Sequence, residues 1–372
     1  MMLKMKPCFL KFEERYMERI WGGTQLRRIL GKPVPADRII GESWMIADHP
    51  ACESIVAEGP YMDRTLRHLM ETEAPGLLGA NASPTAEGRF PLLLKLIDAA
   101  EDLSVQVHPD DEQAWALGER DSGKTEMWHI LAAEGPCEIA LGFGPGVTRE
   151  VLEACLREGG NAAGLLARFP VRGGESIFVR AGMAHAIGGG ALLAEIQQNS
   201  DITYRLFDYN RTDASGKPRE LHLEKGLAVT RFGEAPCGYV SPLLLHRGDT
   251  ERELLSACRY FAAEKVLNVD TCAYTGAGRT FHILLSLDKT FRIEGETDSC
   301  ELKRGEAILV PASMPSWCVS GTGAFLDYYV PDLFEDVILP LRWEGYTDAD
   351  ILALDGHNAD GDLQGALRKH RD

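Results

Sequence analysis

The chain has 372 residues, of which 45% are hydrophobic, and a formal net charge of −17 at pH 7. This composition is typical of a globular protein with two or three packed units, and no apolar run is long enough to span a membrane. The acidic balance disfavours nucleic-acid binding, which needs a basic surface. The apolar stretch near the start is too short for a secretory signal, so we expect a cytoplasmic protein.

Short apolar segments separated by Gly, Pro and Asp dominate the sequence, and they predict an antiparallel, mainly β fold of the barrel or jelly-roll type. Predicted strands lie at 91–96, 103–108, 126–132, 138–143, 176–180, 192–197, 203–209, 281–285, 290–293, 307–310 and 324–330. Helices are predicted at 65–73, at 221–232, and after Thr148, which has the side chain of an N-cap. Two further short helices are predicted at 348–354 and 363–369.

One segment is repeated along the chain. Residues 174–185 and 305–316 both begin with Gly-Glu, continue through an apolar strand and enter a turn. The offset of 131 residues predicts two related β-units, because solenoid repeats are much shorter. His185 ends the first copy and Ser316 the second, so only the first unit is expected to hold a metal. Chance similarity between two strand-turn segments is the alternative.

Four side chains on three predicted strands form a candidate metal site. Side chains alternate along a strand, so Gln106 and His108 share one face and leave the aliphatic residues of 103–108 on the other. Glu126 and His185 supply a carboxylate and a second imidazole from two further strands. This set suits zinc, and with less selectivity Mn, Co, Ni or Fe. The alternative is that each histidine is a hydrogen-bonded core residue.

A polar wall is predicted next to this site. Lys124 shares the face of Glu126, and the segments around Glu195 and Arg205 are unusually polar beside their aliphatic neighbours. The functional interpretation is a cavity wall in which Arg205 is available to an anionic oxygen. The alternative is a solvated edge strand with surface ion pairs.

Several short motifs, in order, resemble those of type I mannose-6-phosphate isomerases of the shorter bacterial form. They are IWGGT at 20–24, GESW at 41–44, FPLLLK at 90–95, QVHPDD at 106–111, KTEMW at 124–128, AHAIG at 184–188 and QNSDITYR at 198–205. Each motif is modest alone, but their order and combination are specific. The resemblance covers roughly residues 7 to 330.

The resemblance implies a double cupin that binds one Zn²⁺ and interconverts mannose 6-phosphate and fructose 6-phosphate through a cis-enediol. The implied metal ligands are Gln106, His108, Glu126 and His185. The implied catalytic and substrate-binding residues are Arg205, Lys124, Glu195 and Trp21. The proton carrier stays open between Glu195, a Lys124 whose pKa is lowered by burial and the metal, and metal-bound water.

We expect three consecutive domains in the chain. These are an N-terminal cupin unit with the metal site (1–235), a second cupin-like unit without metal ligands (236–330) and a partly helical extension (331–372). The expected partner is a hexose 6-phosphate, with no nucleic acid and no membrane. The oligomeric state is open, and a homodimer is compatible with the sequence.

Two other functions fit the same pattern. A His/His/carboxylate site with open positions also suits an Fe(II) cupin oxygenase. A non-catalytic cupin that binds a sugar phosphate would have a similar polar cavity. Lys124 and Arg205 favour an anionic sugar over a neutral aromatic substrate.

Overall fold

The computed structural model describes residues 5–212, 216–233, 239–248, 250–268, 270–276, 278–356 and 360–370. The chain divides into two compact units. What we call the first unit consists of Tyr16–Ser43 and Lys95–Tyr239. What we call the second unit consists of Met1–Arg15, Trp44–Leu94 and Val240–Asp372. The division into domains 1–235, 236–330 and 331–372 stays a prediction.

Antiparallel strands make up most of the regular structure. Up to residue 207 they are β1 (Arg15–Gly23), β2 (Ile40–Ile46), β3 (Asp48–His49), β4 (Cys52–Glu53), β5 (Leu92–Asp98), β6 (Val105–Val107), β7 (Glu126–Ala133), β8 (Glu138–Phe143), β9 (Leu166–Pro170), β10 (Ser176–Val179), β11 (His185–Ile187), β12 (Ala191–Gln198) and β13 (Tyr204–Phe207). The later strands are β14 (Leu243–Arg247), β15 (Thr250–Ala257), β16 (Ala262–Asn268), β17 (Thr271–Thr275), β18 (His282–Ser286), β19 (Phe291–Gly295), β20 (Ser299–Leu302), β21 (Ala307–Val310), β22 (Ser316–Ser320) and β23 (Gly323–Tyr329).

Short helices connect these strands or follow them. They are α1 (Gln25–Arg28), α2 (Leu66–Leu78), α3 (Asp111–Ala116), α4 (Arg149–Arg157), α5 (Leu223–Val229), α6 (Leu339–Trp343), α7 (Asp348–Leu352) and α8 (Asp362–Lys369), with a π-helical turn at Leu333–Ile338 and 3₁₀ turns at Ala162–Leu165 and Ala353–Asp355. Thr148 caps α4 as predicted, because its side chain accepts a hydrogen bond from the backbone N–H of Val151. Within the described residues, no helix is both long and apolar enough to cross a membrane.

The strand orders of the sheets reveal a duplication. One pair of sheets has the orders β1-β2-β5-β12-β7-β10 and β13-β6-β11-β8-β9. A second pair has the orders β14-β15-β16-β23-β18-β21 and β17-β22-β19-β20. The repeated segment forms β10 and the start of β11 in one copy, and β21 and the start of β22 in the other. The two copies therefore occupy the same place in each pair of sheets.

Hydrophobic packing on one face of β6 decides which way its side chains point. Val105 and Val107 pack in a cluster with residues of three helices, including Leu152 of α4 and Leu227 of α5. The aliphatic face of β6 is thus covered by helices. The opposite face of the strand, which carries Gln106, is turned the other way because side chains alternate.

The mainly β class predicted from the sequence is confirmed, and most predicted strands differ from the observed ones by one or two residues at their ends. Several observed strands, including β1 to β4, were not predicted. Among them are β14 to β17. Their sequences carry charged residues at buried positions, including Arg252 and Glu264, which hides the alternation on which the prediction depends. Helix α2 extends five residues beyond its predicted end and includes Pro75.

Candidate metal centre

Three strands of the first unit bring the predicted ligands together. Gln106 lies in β6 directly opposite His185, the first residue of β11. His108 follows two residues after Gln106, and Glu126 begins β7 in the other sheet. Directly opposed residues in antiparallel strands point to the same face, so Gln106 and His185 share a face.

The imidazoles of His108 and His185 and the carboxylate of Glu126 form a compact cluster. Nε2 of His185 lies 3.3 Å from Oε1 of Glu126, and Nε2 of His108 lies 3.7 Å from Oε2. One ligand atom from each residue lies within 4.8 Å of the others. Among the described residues, this is the only group of three or more His, Cys, Asp or Glu side chains able to share a metal ion.

Backbone carbonyls fix the orientation of both imidazoles. Nδ1 of His108 lies 2.7 Å from the carbonyl oxygen of Ile202, and Nδ1 of His185 lies 2.8 Å from that of Met183. A carbonyl only accepts, so each Nδ1 carries the proton and each Nε2 presents a lone pair to Glu126. Such bonds from the second nitrogen are typical of metal-ligating histidines.

Burial keeps both histidines neutral. Desolvation lowers the pKa of His185 to about 4, and it lowers the pKa of His108 well below its usual value, with a further contribution from the Lys124 charge. Neutral imidazole is the form that binds a metal, because a protonated ring has no free lone pair. The two histidines are therefore in the ligand form at neutral pH.

The cluster already attracts a cation of the chain itself. Nζ of Lys124 lies 2.7 Å from Oε2 of Glu126 and 3.2 Å from Nε2 of His108. Oε1 of Glu126 and Nε2 of His185 are fully buried, and neither has a hydrogen-bond donor among the described residues. Buried acceptors without donors are costly, so the donor set fits a bound divalent cation.

Lys124 is buried beside two carboxylates that set its electrostatics. Burial alone would lower its pKa, but the carboxylates of Glu126 and Glu195 outweigh burial and raise it. The lowering of the Lys124 pKa by burial together with a bound metal stays a prediction. Lys124 is a fixed ammonium group beside the metal ligands.

Glu195 lies in a second buried ion pair that the sequence analysis missed. Its Oε2 accepts a hydrogen bond of 2.9 Å from Nε1 of Trp128, and its Oε1 lies 3.9 Å from Nζ of Lys95. Burial raises the pKa of Glu195, and the nearby carboxylate of Glu126 raises it further. A lysine in the otherwise apolar strand β5 was the available signal for Lys95.

Arg205 lies opposite Gln106 across β13 and β6, so it shares the face of the candidate ligands. Its Nη1 donates to the carbonyl oxygen of Glu220 at 2.9 Å. Burial lowers the pKa of Arg205, and the nearby positive charge of Arg219 lowers it further. This local positive charge stands against the overall acidity of the chain.

Asp208 organises the same region. It accepts hydrogen bonds from Nη2 of Arg211 at 2.7 Å and from Nε of Arg219 at 2.6 Å. Although burial acts in the opposite direction, these guanidinium groups hold the pKa of Asp208 below its usual value. Asp208 therefore stays ionised and fixes both arginines on this side of the first unit.

Trp21 is buried in the hydrophobic cluster that also contains Trp128. Its role in substrate binding stays a prediction, as do the catalytic roles of Arg205, Lys124 and Glu195. The strand register puts Gln106 beside His185, but its coordination of a metal also stays a prediction.

Comparison with known proteins gives one consistent group of relatives. A family model for the type I phosphomannose isomerase catalytic domain matches residues 9–129. The chain is 37% identical over 320 residues to mannose-6-phosphate isomerase ManA of Bacillus subtilis, covering 85% of this chain and 96% of that protein. It is 32% identical over 317 residues to mannose-6-phosphate isomerase of Streptococcus mutans, covering 85% of this chain and 96% of the relative.

Solved structures agree with the sequence relatives. The crystal structure of mannose 6-phosphate isomerase from Bacillus subtilis matches with a TM-score of 0.78 and 33% identity, covering 86% of this chain and 99% of that chain. The predicted cupin fold is thereby confirmed.

Proposed function

This chain belongs to the type I phosphomannose isomerase family, and from that premise we propose that it interconverts mannose 6-phosphate and fructose 6-phosphate. The observation that carries the proposal is the buried convergence of His108, Glu126 and His185 beside the fixed ammonium of Lys124. A metal-ligand set next to a cation suits an anionic sugar whose reaction creates further negative charge.

We propose Zn²⁺ as the metal, held by His108, Glu126 and His185 with Gln106 as a fourth ligand. Two imidazoles, a carboxylate and an amide oxygen are a mixed nitrogen and oxygen set that zinc accepts. When bound, such an ion acts as a Lewis acid that polarises a carbonyl or hydroxyl oxygen.

Lys124 and Arg205 supply the fixed positive charge of the proposed site. Aldose–ketose isomerisation moves a proton between C1 and C2, and the enediolate formed on the way carries a negative oxygen. A buried ammonium or guanidinium lowers the energy of that charge, since the surrounding protein screens it poorly. Arg205 shares a face with Gln106, which supports a place for it on the substrate side.

Glu195 is the proposed proton carrier. Its pKa is raised by burial and by Glu126, which brings a carboxyl group closer to the range in which it can both accept and return a proton. The indole of Trp128 and the ammonium of Lys95 hold its two oxygens in place. Lys124 and metal-bound water are the alternative proton carriers.

The test is a coupled isomerase assay on purified protein with mannose 6-phosphate, glucose 6-phosphate and fructose 6-phosphate, combined with metal analysis. We expect turnover of mannose 6-phosphate that chelation abolishes and zinc restores. Oxygen uptake with iron and no isomerisation would identify an oxygenase. Saturable binding without turnover of any sugar phosphate would identify a binding protein.

A matched pair of variants separates the metal site from general effects of losing an imidazole. His185→Ala removes a fully buried candidate ligand, and His246→Ala removes an exposed imidazole that pairs with Glu344. We expect loss of turnover only in His185→Ala.

We also propose a cytoplasmic location and a homodimer, which fractionation and light scattering would test.

A further inference from the structure

The second unit contains a cavity of about 560 Å³ lined by its own residues. This volume lies in the range of small-molecule sites, about 300–1,000 Å³. The lining includes three arginines, Arg247, Arg252 and Arg279, against two carboxylates, Glu264 and Asp336. Three guanidinium groups around one cavity are notable in a chain with a net charge of −17.

Strand registers show that part of this cavity corresponds to the metal site of the first unit. In β10 and β21 the repeated segments align Val179 with Val310. Val179 lies opposite Glu126, and Val310 lies opposite His282. His282 therefore occupies the place in the second unit that Glu126 occupies in the first, and it lines the cavity.

The residue-by-residue correspondence between the two units continues on the neighbouring strands. Two residues after Glu126, Trp128 lies opposite Glu195, and two residues after His282, Leu284 lies opposite Asp327. Asp327 is thus the counterpart of Glu195. The second unit keeps buried polar residues at these positions, but in a different chemical arrangement.

A guanidinium neutralises the buried carboxylates of the second unit. Nη1 of Arg252 lies 2.7 Å from Oε2 of Glu264 and 3.4 Å from Oδ2 of Asp327. Asp327 also accepts hydrogen bonds from the hydroxyl of Tyr274 at 2.9 Å and from Nδ1 of His282 at 2.8 Å. Because a permanent cation of the chain holds these acids, the interior needs no metal ion for charge balance.

Two further arginines in the cavity wall are only partly engaged. Nη2 of Arg247 donates to Glu264 at 2.8 Å, to the hydroxyl of Tyr329 at 3.1 Å and to the carbonyl oxygen of Asp336 at 2.9 Å. Nη2 of Arg279 donates to Oδ1 of Asp336 at 2.7 Å. Within the described residues, these two arginines donate their hydrogen bonds through Nη2 alone. Nε and Nη1 of each guanidinium are therefore available to a ligand.

The accessibility of these groups suits a ligand that enters from solvent. The side chain of Arg279 is 52% exposed and that of Arg247 is 33% exposed, whereas that of Arg252 is 4% exposed. The available donors of Arg247 and Arg279 are therefore the ones a ligand reaches first. Both side chains are anchored through Asp336, so little conformational freedom is lost when they bind.

We propose that this cavity is a second, metal-independent binding site, and that it takes a sugar phosphate or polyol phosphate. Guanidinium groups with planar forks of donors match phosphate oxygens, and Arg247 and Arg279 supply them. Hydroxyl-bearing residues of the wall, including Thr250 and Thr275, suit a ligand with several hydroxyl groups. None of the residues that line it belongs to the metal centre of the first unit.

The test is isothermal titration of the metal-loaded protein with glucitol 6-phosphate, which has no carbonyl to isomerise. We expect a binding component whose affinity falls at least about tenfold in Arg279→Gln and in Arg247→Gln, the change expected when a charge-assisted hydrogen bond is lost. Arg279 is half exposed, so its substitution leaves the fold intact even where that of Arg247 does not.

Two controls locate the component. Arg292→Gln removes an exposed arginine of the same unit that pairs with Glu294 outside the cavity, and binding should be unchanged. His185→Ala should retain the component, because His185 lies in the first unit. The isomerase kcat of Arg279→Gln should match that of the unaltered chain, which keeps this test independent of the proposed function.

Three results would overturn the proposal. One is glucitol 6-phosphate binding that neither cavity variant changes. A second is inorganic phosphate binding as tightly as glucitol 6-phosphate, because the hydroxyl groups would then contribute nothing. The third is equal binding of unphosphorylated glucitol, which would remove the role of the arginines.

Discussion

Replacing Arg252 by Met leaves two buried carboxylates of the second unit without their shared cation. Removal of one partner from a buried ion pair costs about 3–5 kcal/mol. The lower end applies here, because Glu264 keeps Arg247 and Asp327 keeps His282. We expect a loss of about 3 kcal/mol in local stability, which corresponds to about 10²-fold faster opening.

The assay is amide hydrogen exchange, read by mass spectrometry on a peptide from β16 that contains Glu264. A peptide from β12 in the first unit serves as an internal reference that should not change. Arg292→Met is the matched control, since it removes a mostly exposed ion pair and should leave β16 unaffected. If Arg252→Met accelerates exchange in β16 less than about threefold, the buried guanidinium does not hold the network, and the reasoning is refuted.

Three other changes test the first unit. Arg205→Ala should leave the metal content intact and lower kcat by about 10²-fold or more in the isomerase assay, and an unchanged kcat would remove Arg205 from the mechanism. Asp208→Asn should cost stability in urea denaturation at pH 7, and the cost should be smaller at pH 3. Arg219 and Arg211 lower the pKa of Asp208, so its contribution is fully present above the unfolded value of 3.8 and is lost as pH falls towards the folded value. An equal cost at both values would show that the charge of Asp208 is not responsible. In metal-stripped protein, burial lowers the pKa of His185 from 6.5 to about 4. Between these values the unfolded chain binds more protons than the folded one, so the free energy of unfolding should fall as pH falls. His185→Gln should flatten this dependence of stability on pH, and an unchanged slope would contradict the assignment.

The candidate ligands were predictable because their arrangement depends on a local rule. Side-chain alternation placed Gln106 on the face opposite Val105 and Val107, and the helix-covered cluster around those valines confirms the direction. Glu126 and His185 were identified as candidate ligands because each lies at the end of a predicted strand with a clear apolar pattern. The mutual approach of His108, Glu126 and His185 is the part that only the structure could supply.

The ion pair between Lys95 and Glu195 was not predictable from spacing. The two residues lie in β5 and β12, which are neighbours in the sheet but far apart in the chain. A lone lysine in an apolar strand signals a buried partner without naming it. The partner depends on strand order, and the order of a sheet is a property of the whole fold.

The second unit shows a different limit of sequence analysis. Its repeated segment identified the counterpart of His185 as Ser316, which indicates the loss of a ligand. The replacement of Glu126 by His282 depends on strand register, because β7 and β18 share no recognisable motif. The buried acids and arginines of this unit break the apolar pattern of β14 to β17, so these strands are hidden to the rule that finds its later strands.

The most direct test of the account is anomalous X-ray diffraction from crystals of the zinc-loaded protein, with data on both sides of the zinc absorption edge. We predict one strong peak per chain, bounded by Nε2 of His108, Nε2 of His185 and the carboxylate of Glu126, with Lys124 displaced from its contacts with that carboxylate. A peak elsewhere in the chain, with Lys124 still bonded to Glu126, would contradict the metal site on which the proposed function depends.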